Sequence, residues 1–507
     1  MVEPLCCRWR EIFSFLDLVA LITLNTEDRF KNFHELIHQD PFRHRQLILN
    51  CLNSAIEAVE PQNLVKDKLS ADSGKLKVNG TDLSFNLSRF DKVIVVGAGK
   101  ASGAMASAFE HLIPPGVEYS GFVIIPKNTE VHLHTSKIRL LEGSHPIPSL
   151  KSTTATLKVM KALSVATEKS LVVCLISGGG SALMASPAEG ITLRDKIETT
   201  SLLLRSGGGI EKVNCVRKHL SSVKGGQLAK SANGAQVLSL MISDIVGNPL
   251  GSIASGPTVP DTTTFKDAID ILEEFSLTRK VPPRILKRLK NGADGKISET
   301  PKADDPTFKK VTNLIIGDNA VACRAATKEL AMSGSKYNTY YLGSSWQGEA
   351  KDTASNLTRL FLQIRTERHG PGLKLPAAFV WGGETTVTVK GKGIGGRNQE
   401  EALASLIDMN STPGVTIAYL GTDGVDGFTD AAGAIIDSEL FAKSTTRKLN
   451  SQKFLKDNDS YSFFKRIGGG LLTTGPTGTN VNDIGIALVE VPMNSTAIDR
   501  ERRVSPP

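Results

Sequence analysis

Two segments of the chain repeat one unusual pattern, in which a run of consecutive apolar residues breaks into a glycine turn that opens a helix. The first is KVIVVGAGKASGAMASAF (Lys92–Phe109) and the second LVVCLISGGGSALM (Leu171–Met184). A strand that is apolar at every position, not every second one, is covered on both faces, which is the signature of a parallel sheet sandwiched between helices. GFVIIP follows the first segment and the helical stretch TTATLKVMKAL precedes the second, so strand, turn and helix alternate. The pattern predicts an α/β fold with a doubly wound N-terminal domain.

Between Asn291 and Thr307 (NGADGKISETPKADDPT) hydrophobicity collapses while charge, Gly and Pro rise, which places a domain boundary there. Beyond it VTNLIIGDN, YNTYYLG, AAFVWGGETTVTV and VTIAYLGTDGVDG read as strands ending in glycine, with helices at Ala320–Met332 and Gln399–Leu406. A second α/β domain is expected. A helix over Phe42–Val59 opens the folded part. The expected organisation is an N-terminal extension over 1–40, a doubly wound domain over 41–300, a C-terminal domain over 301–495 and a disordered tail over 496–507.

Composition narrows the partners. The net charge of +8 comes from scattered lysines and arginines without a basic run interleaved with aromatics, so it does not point to nucleic acid, and an anionic small substrate fits it equally well. The six cysteines form no C-x-x-C framework and read as reduced thiols of an intracellular protein. No run approaches the roughly 18 to 20 apolar residues needed to span a bilayer, and Glu3, Glu11 and Asp17 argue against a mitochondrial presequence. Cytoplasm is expected, with a mitochondrial form open.

Chemistry concentrates at the glycine turns. Gly97-x-Gly99 with Gly103 is half a dinucleotide fingerprint, but the acidic residue that would bind ribose at the end of the next strand is replaced by Lys127. A Walker A loop does not fit either, because a single residue separates Gly97 from Gly99-Lys100. A tight packing turn accounts for the glycines but not for Lys100 at a helix N-terminus, where the helix dipole disfavours a cation unless an anion is present. Ser177, Gly178, Gly179, Gly180 and Ser181 leave unobstructed amides before a helix, a phosphate nest.

In Asn214–Ala229, expected as one helix, Arg217 and Lys224 share a face and could flank an acidic ligand, while Lys218 reads as part of a solvated basic surface. An apolar strand delivers Asp244 to a Gly/Ser/Pro-rich loop, and an acidic residue at a strand's carboxyl end faces the ligand crevice of an open α/β sheet; Asp244 is a candidate for Mg²⁺ ligation or proton abstraction. In the C-terminal half, WGGETTVTVKGKGIGGRNQE (Trp381–Glu400) holds Glu384 and Arg397, the latter free to swing onto a transferring phosphoryl group. LGTDGVDGFTDAAGA (Leu420–Ala434) crowds Asp423, Asp426 and Asp430 together. Asx turns or an N-cap explain Asp426 or Asp430, leaving Asp423 as the metal candidate. His145, beside Pro146, reads as structural, and no G-x-S-x-G or H-E-x-x-H pattern supports hydrolysis. Amides, a lysine, an arginine and carboxylates are the set that phosphoryl transfer needs.

These segments, VVGAGKAS, EGSHPIPS, ISGGGSALM, VRKHLSSVKGGQLA, SDIVGNPLGSIASGPTVPD, GGETTVTVKGKGIGGRNQE, GTDGVDGFTDAAGA and TTGPTGTNVND, resemble in order those of the class II glycerate kinases, the family whose C-terminal half is called MOFRL. The resemblance spans about residues 40–490. It implies ATP-dependent, Mg²⁺-assisted phosphorylation of D-glycerate at the 2-hydroxyl, in a cleft between a Rossmann-like N-terminal domain and a smaller C-terminal α/β domain. It also implies that Lys100 and Arg397 are the essential basic positions and Asp244 and Asp423 the acidic ones. Asp244 is expected as the base and, with Asp423, as a metal ligand. Gly97, Gly99, the 177–181 nest, Arg217, Lys224 and Glu384 are expected on phosphate and substrate. An NAD(P)H-dependent hydroxypyruvate reductase and a non-catalytic binding protein are the competing readings.

Overall fold

The structure, a computed structural model, describes residues 26–38, 40, 43–127, 129, 133–367 and 372–492. The expected tail at 496–507 and most of the expected extension lie outside these residues. The chain divides into two compact units, one comprising Val59–Asp318 with Gly478–Val481, the other the chain up to Ala58, Asn319–Thr477 and the chain from Asn482.

The Val59–Asp318 unit opens with the helix Pro61–Lys68 and a small antiparallel sheet of β1 (Leu69–Asp72), β2 (Lys75–Val78) and β3 (Ser84–Asn86). Its main sheet comprises β4 (Lys92–Ala98), β5 (Tyr119–Pro126), β6 (Ile138–Gly143), β7 (Ser170–Ile176), β8 (Gln236–Ile242) and β9 (Val311–Gly317). All of its pairings are parallel, in the order β6-β5-β4-β7-β8-β9. Counted within the sheet this is 3-2-1-4-5-6, the doubly wound order expected from the glycine turns, and it reverses direction between β4 and β7. Every residue of β7 is buried, which explains why Leu171–Ile176 carries no alternation. Ile94, Val96, Val172, Cys174 and Met241 pack beneath the helix Leu150–Ser164 through its Ala155, Val159 and Leu163.

The second unit is built on a mixed sheet of β10 (Asn338–Tyr341), β11 (Trp346–Glu349), β12 (Ala377–Thr386), β13 (Val415–Gly421), β14 (Gly433–Ile436), β15 (Leu471–Leu472) and β16 (Asp483–Val489). The order is β10-β12-β16-β13-β14-β15, with β11 also on β12. The central strand β16 runs antiparallel to both β12 and β13, so the carboxyl ends of β12 and β13 lie beside its amino end. Phe379, Trp381 and Tyr419 alternate onto one face and pack against Phe361, Leu403 and Leu406 of the helices Ala350–Glu367 and Arg397–Met409. Phe361 and Phe379 stack at 4.9 Å.

Two expected boundaries change. The division falls after Asp318 and not at 300/301, because β9 completes the parallel sheet beside β8; the polar stretch before it is a loop within the unit. At the other end the helix His44–Ala58 belongs with the second unit, against the helix Asn319–Met332. Residues 26–38, expected in a variable extension, belong there too. Phe30, Phe33 and Leu36 are buried, and Asn32 caps the short β15, donating Nδ2 to Leu471 O at 2.8 Å and accepting from Thr473 N at 3.2 Å.

Candidate active site

In the parallel sheet the glycine turns after β4 and β7 sit side by side at the point where strand order reverses, the usual ligand position in such a sheet. They are locked together: Lys100 N donates to Gly178 O at 2.9 Å and Ala101 N donates to Ser177 Oγ at 3.0 Å, while Gly99 N ties the first turn to β5 by donating to Ile124 O at 3.1 Å. Gly97 is a packing residue, since a Cβ there would stand 2.1 Å from Leu175 O. Lys100 follows, and its side chain is exposed.

Among the described residues the amides of Gly178 and Gly179 have no hydrogen-bond acceptor. Gly179 is left-handed, φ +80°, a conformation that glycine reaches without strain and that turns successive N–H groups to one side. A Cβ on Gly178 would stand 2.2 Å from Asp244 Oδ2, and one on Gly179 would stand 2.9 Å from His145 Cδ2 and 3.5 Å from Lys100 Cγ. Two free amides therefore lie between a carboxylate on one side and Lys100 with His145 on the other. Burial, and secondarily the charge of Lys100, lower the His145 pKa, so the imidazole is neutral at pH 7. His145, read from sequence as a turn residue, thus borders the nest. Its distance in the chain from both glycine turns concealed this.

Below the nest Ser181 Oγ meets Ser255 Oγ at 2.9 Å, and Ser255 Oγ donates to Asn214 Oδ1 at 3.0 Å. Lys224 Nζ donates to Ser181 O at 2.7 Å and to Ser181 Oγ at 3.0 Å. The helix expected over 214–229 ends at His219, and Gly225 and Gly226, both at positive φ, start a separate short helix at Gln227. Arg217 and Lys224 are consequently not on one helical face. The turn nevertheless brings them close enough to repel each other. Lys218 is a correction: it is buried and paired with Asp261 at 3.1 Å, not solvated.

In the mixed sheet the polar cluster gathers at the carboxyl ends of β12 and β13 and the amino end of β16. Asp483, opposite Gly383 and Gly421 in register, takes Arg397 Nε on Oδ2 at 2.5 Å and Nη2 on Oδ1 at 3.0 Å. Arg397 Nη1 lies 3.2 Å from Glu384 Oε1. Arg397 is therefore held, not left to swing on its glycine stretch. Burial opposes its charge, but Asp483 and Glu384 outweigh burial and keep the guanidinium protonated. Burial raises the Asp483 pKa and Arg397 offsets only part of that rise; besides the two guanidinium bonds, the carboxyl accepts from Asn398 Nδ2 at 3.1 Å.

Asp426 is fully engaged in capping the helix Arg397–Met409. It accepts from Asn398 N at 3.1 Å, Gln399 N at 2.8 Å and Gln399 Nε2 at 2.9 Å, satisfying first-turn donors. Burial outweighs these bonds and, with Asp483, raises its pKa to about 6. Asp423 stays partly exposed after β13, its Oδ1 accepting from Val425 N at 3.2 Å. Asp423 Oδ1 and Asp483 Oδ1 each lie 3.5 Å from the position a Cβ would take on Gly421. Among the described residues no group of three His, Cys, Asp or Glu side chains could hold a metal. Mg²⁺ typically takes one or two carboxylates and completes its shell with water and phosphate oxygens, so the oxygen donors of Asp423 and Asp483 fit that ion. Asp483 was missed as a site residue although TTGPTGTNVND ends on it; a lone Asp before an apolar strand carries no signal until the strand's neighbours are known.

Family models match most of both halves: DUF4147, a domain of unknown function, over residues 47–290, and the MOFRL family over residues 377–483. A glycerate 2-kinase of Pyrococcus horikoshii is 41% identical across 88% of this chain and 97% of its own length. A protein of Agrobacterium vitis with the provisional name hydroxypyruvate reductase is 38% identical across 78% of this chain and 99% of its own. The crystal structure of a glycerate kinase from Thermotoga maritima superposes with a TM-score of 0.76 at 34% identity, covering 88% of this chain and 99% of that one. Identity and coverage of this extent, with the MOFRL match spanning Glu384, Arg397, Asp423 and Asp483, establish that the chain belongs to the class II glycerate kinase family.

Proposed function

We propose that this enzyme transfers the γ-phosphoryl group of ATP, with Mg²⁺, to the 2-hydroxyl of D-glycerate. The observation that carries the reading is the pair of unpartnered amides at Gly178 and Gly179, set between Asp244 and Lys100. Such amides bind phosphate oxygens, and a fixed positive group beside them offsets the charge on a transferring phosphoryl. Lys100 takes that part. Asp244, across the nest, accepts the hydroxyl proton, consistent with the geometric requirement that a base reach the group it deprotonates.

In the other unit Arg397 presents what remains of its guanidinium to phosphate or carboxylate, aligned by Asp483 and Glu384. Asp423 would hold Mg²⁺ with Asp483 beside it. The ion, when bound, neutralises phosphate charge. The rival reductase reading has the half fingerprint in its favour, but Lys127 is exposed immediately after β5, where an NAD site places an acid for ribose.

Purified enzyme with D-glycerate and MgATP should form ADP, and the phosphorus NMR spectrum of the product should be that of 2-phosphoglycerate. A 3-phosphoglycerate spectrum would overturn the choice of hydroxyl. Absence of ADP, with NAD(P)H consumed on hydroxypyruvate, would overturn the kinase reading.

A further inference from the structure

Behind Ser181 lies a cluster of basic side chains, two of them buried, that no carboxylate among the described residues pairs with. Lys196, on the helix Leu193–Arg205, is 4% exposed, and its Nζ has no hydrogen-bond partner among the described residues. Lys224 is 1% exposed and spends its bonds on Ser181 alone. Arg217, half-buried, has Asn214 Oδ1 at 3.5 Å. The three lie close enough that Arg217 opposes the charge of Lys196, and both oppose that of Lys224. Among the described residues none of them has an ion-pair partner. Lys218, the neighbour of Arg217, shows what a structural buried lysine looks like in this fold, since it has Asp261.

An unpaired buried ammonium is costly and is seldom retained without an anion to meet it. We infer that Lys196, Arg217 and Lys224 form the subsite for the carboxylate of the acid substrate, with Arg217 and Ser181 as its accessible edge. Arg217 makes the direct contact and the two lysines supply charge from behind, Lys224 through Ser181. The subsite adjoins the amide nest in sequence and space, through Gly180–Ser181. The acid's hydroxyl can then face the phosphate-binding amides while its carboxylate is held. This assignment rests on the reading of the enzyme as a kinase of a small hydroxy acid. It adds Lys196, which no motif marks, and gives Arg217 and Lys224 the carboxylate in preference to phosphate.

The test compares full-length wild type with Lys196→Met and Arg217→Met. D-glycerate affinity is measured by calorimetry without nucleotide, with glycerol as the probe lacking a carboxylate, and KM for D-glycerate and for MgATP by steady-state kinetics. The expected result is a rise of about a hundredfold in glycerate KM and Kd in both variants, to the level of glycerol, with KM for MgATP unchanged. Arg217 is at the edge of the cluster, so Arg217→Met keeps the test open if the deeper variant folds poorly. Unchanged glycerate affinity in Arg217→Met, or a rise confined to KM for MgATP, would overturn the assignment. Wild type that binds glycerate through these residues but forms no ADP would overturn the kinase reading and leave the carboxylate site standing.

Discussion

Arg397 and Asp483 form a two-bond fork, Nε on Oδ2 at 2.5 Å and Nη2 on Oδ1 at 3.0 Å, and the third nitrogen of the same guanidinium turns to Glu384. A planar fork fixes the direction of Arg397 as well as its charge, which a lysine ammonium cannot reproduce. Arg397→Lys should therefore lower kcat by about two to three orders of magnitude, the scale for loss of one aligned charge-stabilising group. Asp483→Asn should lower it comparably while keeping Arg397. Steady-state kinetics on folded variants checks both. A lysine variant with near wild-type kcat would mean that charge alone is used.

Gly178 owes its identity to Asp244. A methyl group there would overlap Oδ2 at 2.2 Å, so Gly178→Ala must displace the carboxylate, the nest, or both. Misplacement of about 1 Å at a reacting group can cost about a hundredfold in rate. Gly178→Ala should show a loss of that size with a thermal midpoint close to wild type. A fully active Gly178→Ala would argue against Asp244 as the base.

The parallel sheet was legible because β4 and β7 are continuous apolar runs that break into glycine turns; Leu171–Ile176 could only be a strand buried on both faces. Lys100, Ser177–Ser181 and Asp244 followed, because doubly wound sheets present strand ends to ligands. What the sequence concealed depends on packing between distant segments. Asp483 gains meaning only beside Gly383 and Gly421, and Lys196 looks like any helix-surface lysine until its helix is seen to bury it. Lys218 was misread for the converse reason: its partner Asp261 is far along the chain. Similarly, nothing local to Val311–Gly317 says that it pairs with β8 and not with strands that follow it.

His145 offers a probe of Lys100 that does not depend on turnover. Burial is the main reason its pKa lies below 6.5, and the Lys100 charge adds to it. Replacing Lys100 with Met removes the second cause and leaves the first. The imidazole pKa should rise, while staying below the ordinary value, as read from an NMR titration of the ring protons. No movement would place Lys100 farther from His145 than the shared contact at Gly179 indicates.

Lys196 makes stability depend on pH in a direction opposite to that of a paired lysine. Burial, with the charge of Arg217 adding to it, lowers its pKa from 10.5 to about 7. Below about pH 7 both native and unfolded chains bind the proton, and the native state carries the full penalty of a buried charge. As pH rises from about 7 toward 10.5 the unfolded chain holds a proton that the native chain has released, so this group makes the protein more stable with rising pH. Lys196→Met removes the amine and with it the penalty. In thermal unfolding without ligand the variant should exceed wild type most at about pH 6, and the gap should narrow by about pH 9. Saturating D-glycerate should narrow it further at the lower pH, because an anion beside Lys196 stabilises the charged form only in wild type. A gap that is constant across this range would mean that the ammonium stays charged in the native protein throughout it, and would require a counter-charge near Lys196.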